Sequence, residues 1–121
     1  PWDTNPRFSI MLNSKLIGGM GLAIDSEHRR AELGYSLARD HWGKGYAIEA
    51  SERVVRWGFE DLGLNKIFAH SDGGNRRSWN VMEKLGMTRE GVFRNHSIVR
   101  GELRNDVYYG LLREEWLARD L

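Results

Sequence analysis

The sequence predicts one α/β domain in which a mixed sheet carries helices, and three observations predict it. Short apolar runs with two-residue alternation occupy both ends of the chain. Two stretches with polar residues three or four apart lie between them, separated by a strand-length apolar run. A length of 121 residues suits one compact domain, and no repeat, low-complexity tract or Pro/Ser-rich linker divides it.

Taken in order, Arg7 to Leu12 and Leu16 to Ile24 are apolar runs around the polar turn Asn13-Ser14-Lys15, which predicts an antiparallel hairpin. Glycines at 18, 19 and 21 soften its second strand. After the charged turn Asp25 to Arg29, Arg30 to Ala38 alternates Ala31, Leu33, Tyr35 and Leu37 with Glu32, Gly34 and Ser36, predicting a third strand. From Gly45 to Leu62 the polar residues Glu49, Glu52, Arg53, Arg56 and Glu60 mark one face of an amphipathic helix, which Gly63 ends. Leu64 to His70 then suits a buried strand, so strand, helix and strand imply a parallel crossover. Asn75 caps a second helix running to Leu85, with Trp79, Met82 and Leu85 on one face and Gly86 at its end. Thr88 to Val99 and Leu103 to Leu112 flank Arg100-Gly101-Glu102 as a final hairpin.

Composition bounds the function classes. Eighteen basic against 17 acidic residues leave a net charge of +1, so no whole-protein field singles out nucleic acid or an anionic membrane. Without cysteine there is no disulfide, thiolate nucleophile or zinc-thiolate site, which suits a reducing compartment and predicts a cytoplasmic protein. No apolar run approaches the roughly 20 residues of a membrane helix, and Pro1 to Pro6 lack the features of a signal peptide. The four histidines form no helical i, i+4 pair, so no metal site is expected.

Asp40-His41-Trp42-Gly43-Lys44-Gly45-Tyr46-Ala47 lies between a strand and a helix N-terminus. Glycines there let backbone amides converge, and the helix's first N–H groups add the positive end of its dipole, a combination that binds phosphate. The spacing is neither a Walker A loop nor a Rossmann fingerprint, and by itself it also fits an ordinary glycine-rich turn.

The loop does not stand alone. Ala31-Glu32-Leu33-Gly34-Tyr35, Trp42-Gly43-Lys44-Gly45-Tyr46-Ala47-Ile48-Glu49-Ala50, Asn75-x-x-Ser78, Glu83-Lys84-Leu85-Gly86-Met87 and Glu90-Gly91 resemble, in order and spacing, the GNAT acetyltransferases of the RimJ/RimL branch. The resemblance covers nearly the whole chain. It implies the GNAT fold, a mostly antiparallel mixed sheet with a central β-α-β unit that binds acetyl-coenzyme A. It implies that Gly43, Lys44, Gly45, Tyr46 and Ala47 offer amides to the pyrophosphate, with Trp42 where Gln or Arg is usual. The third and fourth strands would splay, letting the backbone of Ser36, Leu37 and Ala38 pair with the pantetheine arm and the Leu37 N–H face the thioester oxygen. Asn75 would hydrogen-bond the cofactor as well as cap its helix. Arg77, with Arg76, Arg39 and Lys44, would meet the 3′-phosphate or form a solvated basic surface.

Transfer to an amine needs a neutral amine, a polarised thioester and a proton for the departing thiolate. Where many GNAT enzymes place an acidic tyrosine, seven residues after the asparagine, this chain has Met82, and the RimL resemblance gives the role to Ser78. Glu32 is the expected base, directly or through water, with a merely solvated strand carboxylate as the alternative. The glutamate that RimL-like enzymes use on the final hairpin falls at Ser97, beside His96. Tyr35, His96, Asp106 and Tyr109 are the expected acceptor contacts. The family's opening strand and two helices have no counterpart here, which predicts uncovered apolar surface and a homodimer. Two rivals remain: a module that binds acetyl-coenzyme A with little turnover, and a nucleic-acid-binding domain using Arg29-Arg30 and Arg76-Arg77.

Overall fold

The structure, a computed structural model, describes residues 4–119, so the first half of the Pro1 to Pro6 segment lies outside the described residues. The elements run β1 (Arg7–Leu12), β2 (Lys15–Asp25), β3 (Arg30–Leu37), α1 (Tyr46–Glu60), β4 (Lys66–Asp72), α2 (Arg76–Lys84), β5 (Thr88–Val99), β6 (Glu102–Leu112) and α3 (Arg113–Arg119). Six strands form one sheet in the order β1-β2-β3-β4-β6-β5. Its one parallel pair is β3 with β4, joined by α1, so the expected mixed, mostly antiparallel sheet with a crossover is present.

All three helices lie on one face. Phe59 of α1 stacks on Trp116 of α3 with ring centroids 5.9 Å apart. Arg119 of α3 donates to the Leu85 carbonyl at the end of α2 over 2.8 Å. Beneath them Leu22, Ala31, Leu33, Ile67, Ala69, Val107, Tyr109 and Leu111 are buried, taking alternate positions of β2, β3, β4 and β6. Gly58 lets α1 approach the sheet: a Cβ there would meet the Ile67 Cδ1 at 2.9 Å.

The opposite face is uncovered among the described residues. Register sets Ala23, Glu32, Phe68 and Gly110 in one row across four strands, with His70 beside Tyr108 in the next.

Two elements differ from expectation. β4 starts two residues late, because the Leu64 N–H turns back to the Gly58 carbonyl (3.1 Å) and its side chain plugs the core. It also runs on to Asp72, since Ser71 and Asp72 keep partners in β6. α3 was not anticipated: seven residues are too few to show a period, and the buried Trp116 anchors it.

Candidate active site

The site begins where two strands part. β3 and β4 pair from Arg30↔Lys66 to Glu32↔Phe68 and no further, although β3 continues to Leu37. β4 stays paired on its other edge with β6 as far as Asp72↔Asp106. Both strands therefore turn an unpaired edge to the gap, and β3 is the one that leads into the glycine loop. Ser36 lies opposite Gly19 in the β2 ladder, and the Ala38 N–H donates to the Ile17 carbonyl over 2.8 Å. Backbone groups alternate along a strand, so the N–H of Leu37 turns away from β2 toward the gap. Of the three residues expected to pair with an extended ligand, Leu37 alone has its amide free; Ala38 has spent its N–H within the sheet. The Leu37 carbonyl is taken by the Trp42 indole N–H at 2.8 Å.

A short 3-10 turn at Arg39–His41 leads from β3 into the glycine loop. Gly43 and Gly45 have φ of +75° and +83°, backbone that side chains other than glycine's rarely adopt. Gly45 is the N-cap of α1, and the first helical bond runs from the Glu49 N–H to the Gly45 carbonyl (3.0 Å). The amides of Tyr46, Ala47 and Ile48 precede that bond, so they have no carbonyl within the helix to meet. They open on a cleft of about 650 Å³ between β3, the loop and α2.

Of the residues expected at the cofactor, Leu37, Trp42, Gly43, Gly45, Tyr46, Ala47, Asn75, Arg77 and Ser78 line this cleft. Lys44 is exposed and is not in its wall, and neither is Ala38. The Asn75 side chain caps α2 by accepting from the Ser78 N–H at 3.2 Å. The Arg77 guanidinium lies 4.3 Å from the centre of the Trp42 ring, with Arg39 at 5.4 Å. Two cations thus flank the indole that closes the loop onto β3. Tyr35, expected at the acceptor, instead shares the cleft with Ser78. Burial raises the Tyr35 phenol above its ordinary value, against a hydrogen bond to Ser78 and the charge of Arg77. His41 also lines the cleft, its Nδ1 buried without a partner.

Glu32 is elsewhere. It lies on the uncovered face, where its carboxylate meets the Nδ1 of His70. That hydrogen bond raises the His70 pKa above 6.5, opposed by burial and helped by the charges of Glu32 and Asp106. The His70 ring stacks on Tyr108 at 4.9 Å. Asp106 is on this face too, buried and accepting from the Ser97 hydroxyl at 2.6 Å. His96 is exposed, its ring edge-on to Phe93 at 5.0 Å. Tyr109 departs from expectation: it is 1% exposed on the helix side, its hydroxyl donating to Glu83 (2.8 Å) and accepting from Arg89 (3.0 Å). It braces the core. The expected acceptor contacts are therefore divided among cleft, open face and interior.

Sequence reasoning missed His70, since no local spacing ties it to Glu32, and it missed the bond from Trp42 to Leu37. Among the described residues Asp25, Glu27 and His28 bring potential ligand atoms within 4.8 Å of one another, and Asp25 is already bound by the His28 N–H and by Arg30.

Residues 2–88 match the model of the acetyltransferase (GNAT) domain. The chain is 38% identical over 113 residues to the uncharacterized N-acetyltransferase p20 of Bacillus licheniformis, an alignment covering 91% of this chain and 64% of p20. It is 34% identical over 108 residues to YdaF of Bacillus subtilis (strain 168), a candidate ribosomal N-acetyltransferase, covering 88% of this chain and 59% of YdaF. It thus spans about three fifths of the length of these curated relatives. Among solved structures, the F149A mutant of spermidine N-acetyltransferase SpeG from Vibrio cholerae superposes with a TM-score of 0.91 at 28% identity, over 98% of this chain and 72% of that one. With a forked β3–β4 pair, a glycine loop opening α1 and a family match over most of its length, the chain belongs to the GNAT acetyltransferase domain family.

Proposed function

We propose that this chain, in the RimJ/RimL-like branch, transfers the acetyl group of acetyl-coenzyme A to a primary amine within a ternary complex. The observation that carries the reading is the convergence on one cleft of the free β3 edge at Leu37 with the unbonded amides of Tyr46, Ala47 and Ile48. An extended amide-bearing arm ending in a pyrophosphate fits those two features: a strand edge for the arm and a helix N-terminus for the anion. Arg77 supplies a cation beside the loop for the remaining phosphate charge.

On this reading the amine attacks the thioester carbonyl carbon, the Leu37 N–H faces the oxygen that gains charge, and the C–S bond breaks. The thiolate takes one proton through the Ser78 hydroxyl, and the other amine proton leaves to a base on the far side of the fork. Tyr35 supports this route, since it lines the same cleft as Ser78 and offers a second hydroxyl there. The likeness to YdaF supports a ribosomal amine as acceptor, which a protein N-terminus would supply, and the likeness to SpeG supports spermidine. The exposed apolar side chains of Ile98, Val99 and Leu103 on the last hairpin support self-association as a dimer. A chain without cysteine suits the cytoplasm. No helix of the described residues is long and apolar enough to cross a membrane.

The test is calorimetric titration with acetyl-coenzyme A, with ATP and NAD as controls, followed by thiol release with spermidine and with a peptide bearing a free N-terminus. Selective binding with thiol release is the expected result. Binding without release would leave a cofactor-binding module, and no binding would reject the reading.

A further inference from the structure

Resting on that reading, we propose that His70 is the proton acceptor of the reaction and that Glu32 is its positioning partner, the two forming one pair at the vertex of the strand fork. Glu32 is the last β3 residue paired with β4, opposite Phe68, and His70 lies two residues beyond Phe68 where the strands have begun to part. The pair spans the gap by a side-chain bond where the backbone ladder stops.

Three features make His70, and not Glu32, the group that meets the amine. Nδ1 is engaged by the Glu32 carboxylate, and among the described residues Nε2 has no hydrogen bond, so the accepting atom is Nε2. Tyr108 stacks on one side of the ring and fixes its plane. Beside the ring is a recess of about 240 Å³ lined by Arg7, Gly21, Glu32, Gly34 and His70. Gly34 leaves that recess open, for a Cβ there would meet nothing within 4 Å. Tyr35, the next residue, lines the cofactor cleft on the helix side. Successive residues of β3 thus address the two spaces, Gly34 the recess and Tyr35 the cleft, at the point where the strand has parted from β4.

The step balances simply. The acceptor's ammonium gives one proton to the His70 Nε2, the ring becomes an imidazolium held by Glu32, and the neutral amine attacks the acetyl carbon. His70 is 41% exposed and returns its proton to water. An imidazole oriented and charge-stabilised by a carboxylate is an effective base near neutral pH. The charged and titratable groups around the ring are Glu32 on β3, Asp106 and Tyr108 on β6 and Arg7 on β1, with His96 of β5 edge-on to Tyr108. The carboxylates outnumber the one cation, which sets the direction of the pH response.

The experiment measures kcat/KM against pH, with spermidine and with the free-N-terminus peptide, for the unaltered chain, His70→Gln and Glu32→Gln. Acetyl-coenzyme A affinity is measured on each by calorimetry. His70→Gln should lower kcat/KM about 100-fold or more and remove the acidic limb, with acetyl-coenzyme A affinity within about twofold. Glu32→Gln should cost about tenfold and move that limb to lower pH, since the imidazole loses the carboxylate that raises it. Imidazole added to His70→Gly should restore part of the rate. If Glu32→Gln abolishes turnover while His70→Gln keeps both rate and limb, the glutamate is the base and the assignment fails. Normal cofactor binding with no thiol release from the unaltered chain also overturns it, while loss of cofactor binding overturns the underlying reading first.

Discussion

The cleft on the helix side and the open face beyond the fork are built from different material. The cleft presents backbone: the Leu37 N–H, two left-handed glycines and the first amides of α1. The open face presents side chains, with Glu32 bound to His70, His70 stacked on Tyr108 and Asp106 bound to Ser97. A backbone site depends first on the chain's path, and a side chain such as that of Trp42 acts on it by holding that path. A side-chain site depends on register, because one residue of slip would turn Glu32 and His70 to the other face. The first suits a ligand common to a family, and the second suits a partner that varies.

This contrast can be broken by experiment, beginning with the largest effect. Gly45→Glu forces a side chain into φ +83° and adds negative charge beside the loop amides. It should weaken acetyl-coenzyme A binding about 100-fold in calorimetry while leaving the NMR titration of His70 unchanged; equal binding would misplace the anion site. Ser78→Ala should slow thiol release roughly 10- to 100-fold with cofactor affinity nearly constant. An unaffected rate would remove Ser78 from the proton path and turn attention to Tyr35. Trp42→Leu, which removes both the bond to the Leu37 carbonyl and the surface under Arg77, should weaken cofactor binding by about fivefold, a loss on the order of 1 kcal/mol.

The smallest effect concerns stability. The His70 pKa is raised in the folded state, so its pairing with Glu32 contributes stability that is fully present below the unfolded value near 6.5. That contribution is lost as pH rises through the higher folded value. Thermal melts should therefore show the chain ahead of Glu32→Gln by a few degrees at about pH 5.5 and level with it at about pH 9. A gap that widens toward alkaline pH would mean that the ring is neutral in the pair.

The same contrast explains what the sequence discloses. Gly43, Gly45 and the Asn75-to-Ser78 interval are local spacings, so the cleft was legible before any fold was known. The parting of β3 and β4 followed from the family resemblance. Glu32 and His70 are 38 positions apart and meet only because Glu32 pairs with Phe68, a register that alternation within either strand leaves open. Ala38 entered with Ser36 and Leu37 through the family resemblance, and its N–H is spent on the Ile17 carbonyl, because neighbouring amides on a strand point opposite ways. Tyr109 looked like an acceptor contact until its partners Glu83 and Arg89, each from another element, showed it to be interior bracing.

The bond from the Trp42 indole to the Leu37 carbonyl makes this chain its own optical probe. Among the described tryptophans, Trp57 and Trp79 are half-buried and Trp116 is buried, whereas Trp42 stands at the cleft mouth between two arginines. Any molecule that settles along β3 and the loop must alter the surroundings of this fluorophore, so occupancy of the cleft can be followed by emission alone, without a label and before any acceptor has been chosen.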